Sequence, residues 1–477
     1  MSKRLILILS LAFVVGIAAY AYAEVQNVKV SGDLTIRAIS RRNLDLQSGR
    51  ANAGTYDSTL ATTRDEGDWL MSTVRLKVDA DLTDNVVATV RLLNERDWDG
   101  EGTSTPTGTG TAADDIDLDL AYIALREFFN PAMTLTLGRQ ELRFGNGMII
   151  GDPDGVTLCQ RYAAGSAWGN ITAMDLSSRK GFDALRATLD LKPWVIDAFY
   201  AKLDEGNVNI SDDVDLYGVN ARYDFGVKRA IGELYLFVKD TGARSSLAAS
   251  KAARIYNLGG RTSVGPTEEF PLMLQAELAH QMGNVSGVTG DTDSLMNGFT
   301  TGSSAHQPGR RNAWATMLSA TMLLPPREAP SSLTLAYGYF SGDKKLDGDY
   351  KVWSTMYYDL GYGPVDSALL GPSNIQSISL VGTYKIMPDL DSKLRYSHYM
   401  WDKTPLAGST LAGVYNVAYL QRGKRDVGDM LDLNLTYAYT EDVSFELNTG
   451  VFFPGSTFDK SNDSNLSQIM GTMKVTF

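Results

Sequence analysis

The sequence predicts an all-β fold, a transmembrane antiparallel β-barrel of about 18 strands, and three observations predict it. Stretches of ten to fourteen residues alternate apolar and polar side chains with period two. The breaks between these stretches alternate between short and long, as short periplasmic turns and longer extracellular loops do. Aromatic residues gather beside the short breaks, where a girdle meets the membrane interface.

The strands follow from their two faces. "VKVSGDLTIRA" sets Val28, Val30, Leu34 and Ile36 against Lys29, Ser31, Asp33, Thr35 and Arg37. "STVRLKVDADL" sets Val74, Leu76, Val78, Ala80 and Leu82 against Thr73, Arg75, Lys77, Asp79 and Asp81. "DIDLDLAY" and "MLDLNLTYAY" repeat the pattern, and "IMGTMKVTF" carries it to Phe477. No comparably long stretch keeps a 3.6-residue period.

The breaks give the topology. Short ones fall at 83–85, 129–132, 192–193, 225–230, 265–271, 325–330, 387–390 and 440–442. Long ones cover roughly 42–68, 97–114, 145–180, 204–213, 241–251, 283–310, 342–374, 403–426 and 454–465. Eight turns and nine loops join eighteen strands, which puts both chain ends on the short-turn side. The girdle residues are Phe128, Phe129, Trp194, Tyr223, Phe225, Tyr384, Tyr437, Tyr439 and Phe445. A sandwich or propeller also has many short strands, but gives no reason for loop length to alternate by side. In lipid the last strand must pair with the first, so that no edge is left open.

Ahead of the barrel, Lys3 and Arg4 precede an uncharged run from Leu5 to Ala18, and Ala21 and Ala23 mark a cleavage site before Glu24. This is a secretory signal peptide pattern over 1–23, leaving 24–477 as a single barrel domain in the bacterial outer membrane. Without Lys3 and Arg4 the chain has 42 basic residues against 56 acidic ones, a net charge of -14. That balance excludes the basic face of a nucleic-acid binder. The single cysteine, Cys159, forms no internal disulfide.

Four stretches, "LGRQELRFGNGMIIG" (137–151), "SRKGFDALRATLDL" (178–191), "YFSGDKKLDGDY" (339–350) and "DVGDMLDLNLTYAYTEDVSFELNTGVFFPG" (426–455), carry a resemblance. The chain resembles the alginate export family of outer-membrane channels. The resemblance implies passage of an alginate-like anionic polysaccharide, with periplasmic export partners, and a pore narrowed by the glycine-flanked charges of "GRQELRFGNG".

If the apolar face meets lipid, the opposite face lines a pore and its charges set selectivity. Inward parity selects Arg75, Lys77, Arg91, Arg186, Arg222, Arg261, Lys393 and Arg395 as pore-lining candidates for binding an anionic polymer or small polar solutes. Arg139 and Arg143 join them if Gly138 marks a bulge. The same face carries a nearly equal number of carboxylates, so cross-strand pairing that keeps the lumen wet and rigid is the competing reading.

Catalysis is not expected. The three histidines are His280, His306 and His398, and Ser397 beside His398 points to the opposite face of its strand. There is no HExxH zinc site, no CxxCH haem site, and no cofactor is called for. The acidic clusters Asp97, Asp99, Glu101 and Asp343, Asp347, Asp349 lack EF-hand spacing and read as solvated loop charge. The remaining alternatives are a general diffusion porin and a sheath enclosing a partner such as a multihaem cytochrome.

Overall fold

The computed structural model describes residues 27–43, 46, 67–98, 116–153, 174–204, 213–227, 230–242, 252–266, 271–285, 309–325, 331–344, 349–361, 365, 369–404, 410–412, 417–419, 423–460 and 463–477. The segment 1–23, Asp99, Glu101, Cys159, His306 and Asp347 lie outside them.

Eighteen strands close into one barrel. They are β1 (Asn27–Arg42), β2 (Gly67–Thr83), β3 (Val86–Asp97), β4 (Asp117–Leu125), β5 (Met133–Glu141) and β6 (Gly181–Leu191). Next come β7 (Trp194–Asp204), β8 (Val214–Asp224), β9 (Ile231–Thr241), β10 (Ala253–Val264), β11 (Leu272–Val285) and β12 (Gly309–Leu324). The last six are β13 (Ser331–Phe340), β14 (Ile375–Met387), β15 (Leu390–Trp401), β16 (Asp426–Ala438), β17 (Val443–Pro454) and β18 (Leu466–Thr476). Each pairs antiparallel with its sequence neighbours, and β1 also pairs with β18, Asp33 opposite Thr476 through Arg42 opposite Ser467. The circle leaves no open edge for lipid to meet, as a bilayer requires. The short connections fall at the eight expected places, and among the described residues no helix is long and apolar enough to cross a membrane.

The alternating pattern sorts side chains by face. Val74, Leu76, Val90, Leu92, Leu236, Leu258, Leu380 and Leu394 are exposed on the outside, where lipid covers them. Beside the short turns the girdle is built of touching rings: Trp194 on Tyr223 at 4.7 Å, Tyr223 on Phe225 at 4.9 Å, Tyr439 on Phe445 at 6.0 Å. The upper boundary is marked by outward polar pairs, the ion pairs of Lys202 with Asp213 (2.7 Å) and Asp215 (3.1 Å), and the hydrogen bond between His398 Nδ1 and Asp429 (2.9 Å). Lys202 and His398 stand eight residues beyond the first residues of β7 and β15. At the usual strand rise and tilt, that leaves an apolar band ~20 Å tall between girdle and polar pairs, near the value for outer-membrane barrels.

The lumen is not an empty tube. From β6 round to β17 large apolar residues, among them Phe182, Phe199, Phe237, Phe340, Trp401 and Phe452, stand inward in the extracellular half, interleaved with small and buried polar residues such as Ala279, Asn257 and Gln281. They bury against two loop segments that turn inward, 142–153 and 349–361 with 369–374, through Leu142, Phe144, Ile149, Trp353, Met356, Tyr357 and Leu370. The inward faces of β18 and β1 to β3 are mostly polar, including Thr35, Thr73, Arg75, Lys77, Thr89, Arg91 and Lys474, around a small apolar cluster of Ile39, Met71 and Met470.

A narrowed lumen as the candidate functional site

The constriction is made where the two in-turned loops zip together. Tyr357 N donates to Ile149 O (2.9 Å), Gly151 N to Tyr357 O (2.8 Å) and Asp359 N to Gly147 O (2.7 Å), so 147–151 and 357–359 share backbone bonds deep in the barrel. Phe144 anchors this unit to the wall by stacking on Phe199 at 5.2 Å and meeting Phe237 at 5.3 Å. The "FGNG" sequence permits the sharp path: Gly145 and Gly147 sit at φ of 59° and 78°, the left-handed region that glycine enters without strain.

Four charges meet on this unit. Arg143 donates to the Asp359 carboxylate and, through Nη2, to the Asn146 carbonyl at 3.0 Å. Lys180 Nζ lies 2.5 Å from Asp152 and 3.7 Å from Asp359. Burial pulls the Lys180 ammonium down, but the Asp152 carboxylate, followed by Asp359, outweighs it and holds the group above the ordinary lysine value. Arg179 next to it donates to Asp117 on β4. Arg143 remains about half exposed (48%), so an anion in the channel reaches it.

The predicted pore-lining residues fall as follows. Arg75 pairs with Asp33 (2.8 Å), Lys77 with Asp79 (2.9 Å), and Arg91 with both Asp119 and Glu141 (2.6 Å each). Arg186 pairs with Asp197 (2.8 Å), Arg261 with Glu233 (3.7 Å), and Arg395 with Asp432 (2.5 Å). Arg222 and Lys393 carry no ion pair among the described residues; Arg222 lies opposite Val195 and Glu233, and Lys393 opposite Thr383 and Asn434. In register, Lys77 is the direct partner of Arg91 across β2 and β3.

Arg139 is placed differently from the other candidates. Gly138 has a φ of 118°, yet the β4–β5 and β5–β6 registers run through it without a shift. Arg139 therefore keeps the parity of Leu135 and Leu137, opposite the parity of Thr136 and its lumenal neighbour Arg186. It pairs with Asp183 at 2.6 Å and bonds the Leu118 carbonyl, on the outward side and at the level of the upper ion pairs. Arg143, beyond the end of β5, is the member of that pair that enters the lumen.

Residues that sequence reasoning did not single out are Arg41, Arg179, Lys180 and Asp359, together with the inward path of 349–361. One signal was there to find. "VWSTMYY" at 352–358 is far more apolar than a solvated loop needs, and Trp353, Met356 and Tyr357 are all buried. The two remaining questions of chemistry have local answers. Ser397 bonds Ser379 on the inside (2.7 Å) while His398 bonds Asp429 on the outside, so they form no dyad. Asp343 accepts from the Lys351 backbone N–H (2.9 Å) and shapes its own loop.

A closed eighteen-strand barrel with an apolar outer band, a girdle and a charged lumen narrowed by its own loops is an outer-membrane channel of the porin type. The chain belongs to the alginate export family, whose model matches residues 50–472. Among solved structures it is similar to OccAB1 of Acinetobacter baumannii (11% identity, TM-score 0.54, covering 96% of this chain and 99% of that one). It is likewise similar to OccK2 (OpdF) of Pseudomonas aeruginosa in complex with glucuronate (13%, TM-score 0.52, 95% and 99%) and to OpdQ of the same species (10%, TM-score 0.51, 95% and 99%). At such identity the likeness is one of fold. A comparison with curated proteins gives no match.

Proposed function

We propose that this channel passes anionic saccharides of the uronate class across the outer membrane, and that the polymeric, alginate-like form is its exported cargo. The observation that carries this reading is the register pair Lys77–Arg91. Like charges directly opposite each other destabilise a sheet. Here they stand side by side with Arg75 on the next inward position, and each cation draws on a separate carboxylate to be tolerated. A wall built only for rigidity has no use for that crowding. A wall that must lower the barrier for a passing carboxylate does, because guanidinium groups meet carboxylates with two parallel bonds and stay charged at any working pH. The passage then leads to Arg143 and Lys180 at the constriction. Family membership supports the polymer, and the glucuronate bound by OccK2 supports the uronate unit.

The second reading is a general diffusion porin, and the pairing of most lumenal cations with carboxylates favours it. A sheath around a partner protein is the weaker alternative, because the chain's own loops already occupy the extracellular half of the lumen from β6 to β17. Single-channel current in a planar bilayer, with polyuronate added to the periplasmic side at low salt, separates the first two. Anion-selective current blocked by the polymer, with the block lost in Lys77→Ala/Arg91→Ala, is the expected result. An open pore indifferent to polyuronate overturns the uronate reading.

A further inference from the structure

We propose that Glu233 and Glu277 are positioning residues of the constriction, a carboxylate clamp on the barrel wall that holds the 142–153 loop across the channel and so sets its bore. Register places Arg222, Glu233, Arg261 and Glu277 in one row across β8, β9, β10 and β11. The signs alternate, so each carboxylate has a cation beside it within the wall and keeps oxygens free to bond upward. Those oxygens take the loop. Gly145 N donates to Glu233 Oε1 at 3.1 Å, and Asn146 N donates to Glu277 Oε2 at 2.9 Å. The Tyr235 hydroxyl fixes the other oxygen, donating to Glu277 Oε1 at 2.8 Å.

Two successive backbone amides are thus held by carboxyl oxygens of two side chains from different strands, and an acceptor removed from under a buried amide leaves that amide unsatisfied. Glu277 is almost wholly buried, so water does not replace the loop amide easily. The fit also dictates the sequence. A Cβ at residue 145 would lie 2.4 Å from Glu277 Oε1, at a φ that strains any side chain, so a larger residue there must push the carboxyl or the loop aside. Arg143 is two residues before the clamped amides, and its approach to Asp359 depends on where they sit. The zip to 357–359 holds the loop's other flank. The clamp holds the 145–146 turn itself by polar bonds, beside the packing of Phe144, while Gln281 on the same strand as Glu277 holds Ser354 of the other loop (2.8 and 2.9 Å).

This inference rests on the proposed function only in that the loop stands in a conducting channel. Conductance in KCl reads it without any polymer, so a failure of the uronate reading leaves it intact. The test is single-channel conductance of Glu277→Ala, Glu277→Gln and Gly145→Ala, each first shown to be a folded barrel by its heat-modifiable mobility in SDS gels. Glu277→Ala and Gly145→Ala are expected to conduct at least about twofold more than the wild type, with flickering between levels, as the loop leaves its wall. Glu277→Gln is expected to stay near the wild type, because its amide oxygen still accepts from Asn146 N. Wild-type conductance in a folded Glu277→Ala would overturn the clamp. Should that variant fail to assemble, Gly145→Ala decides, since its change lies in the loop, and an unaltered conductance there overturns the proposal equally.

Discussion

Arg41 and Asp175 form a buried, two-bond ion pair that ties the first strand to a loop 134 residues further along the chain. Arg41 Nη1 and Nη2 donate to the two carboxylate oxygens at 2.9 and 2.6 Å, with both side chains at 1% exposure or less. Arg41 Nε also donates to Gln468 on β18 at 2.5 Å, across the closing seam of the barrel. Breaking one partner of such a pair leaves the other charge stranded, at a typical cost of about 3–5 kcal/mol. Arg41→Ala should therefore release the 174–180 segment, seen as faster limited proteolysis there and a lower thermal midpoint in detergent. The double variant Arg41→Met/Asp175→Leu, which strands no charge, should recover most of the midpoint. Equal losses in the two variants would mean that shape, not charge, holds the segment.

Lys180 gives a prediction in pH. Its ammonium is held above the ordinary lysine value by Asp152 and Asp359, against the pull of burial. A raised lysine contributes stability that is fully present below the unfolded value, about 10.4, and is lost as pH rises through the higher folded value. The constriction should thus keep its Lys180 charge through neutral and mildly alkaline conditions. Reversal potential in a KCl gradient should be flat between about pH 7 and pH 10 and should drift towards cations only above that. In Asp152→Asn, which removes the nearer carboxylate, the drift should begin at lower pH. A drift that starts near neutrality in the wild type would show that another group governs selectivity.

How much of this was legible in the sequence depends on range. Period-two alternation is a local signal, and it carried the strands, their inward faces and the alternation of turns and loops, so that Arg75, Lys77, Arg91 and Arg395 came out on the lumenal side. The aromatic girdle was legible because Trp194, Tyr223 and Tyr439 sit beside breaks in the pattern. What could not be read was any partner chosen by the closed shape. Arg41 finds Asp175, and Glu277 finds Asn146, only once the loops have turned inward. Loops have no period to betray that turn. Arg139 depended on whether Gly138 shifts the register, and a positive φ at glycine bends a strand without always adding a residue to it.

The seam offers a test of closure. Gly32 and Phe477 exchange backbone bonds, Gly32 N to Phe477 O at 2.8 Å and Phe477 N to Gly32 O at 3.0 Å. A Cβ at Gly32 would lie 2.5 Å from the Arg75 carbonyl oxygen and 2.8 Å from Phe477 Cζ, so the ring covers the space a side chain needs. Gly32→Val should push the ring aside and strain the seam by about 1–3 kcal/mol, the usual cost of overpacking. The expected readout is a smaller heat-modifiable fraction after refolding into detergent. Gly32→Val combined with Phe477→Ala should recover part of that fraction if the clash with the ring is the cause.

Arg91 is where wall and constriction meet, because it holds Asp119 on β4 with one nitrogen and Glu141, at the start of the in-turned loop, with another. Asp119 is fully buried there, and Lys77 stands directly opposite in the register. Arg91→Ala removes one positive charge and leaves two carboxylates beside the passage with no guanidinium between them. Reversal potential should move towards cations, further than in Lys77→Ala, whose partner Asp79 also accepts from Thr89 at 2.7 Å. The difference between the two variants should shrink as KCl is raised from 0.1 M to 1 M, since the screening length falls from about 10 Å to about 3 Å. A shift that persists undiminished in high salt would point to a change in pore shape, through the freed Glu141 and its loop, rather than to the lost charge.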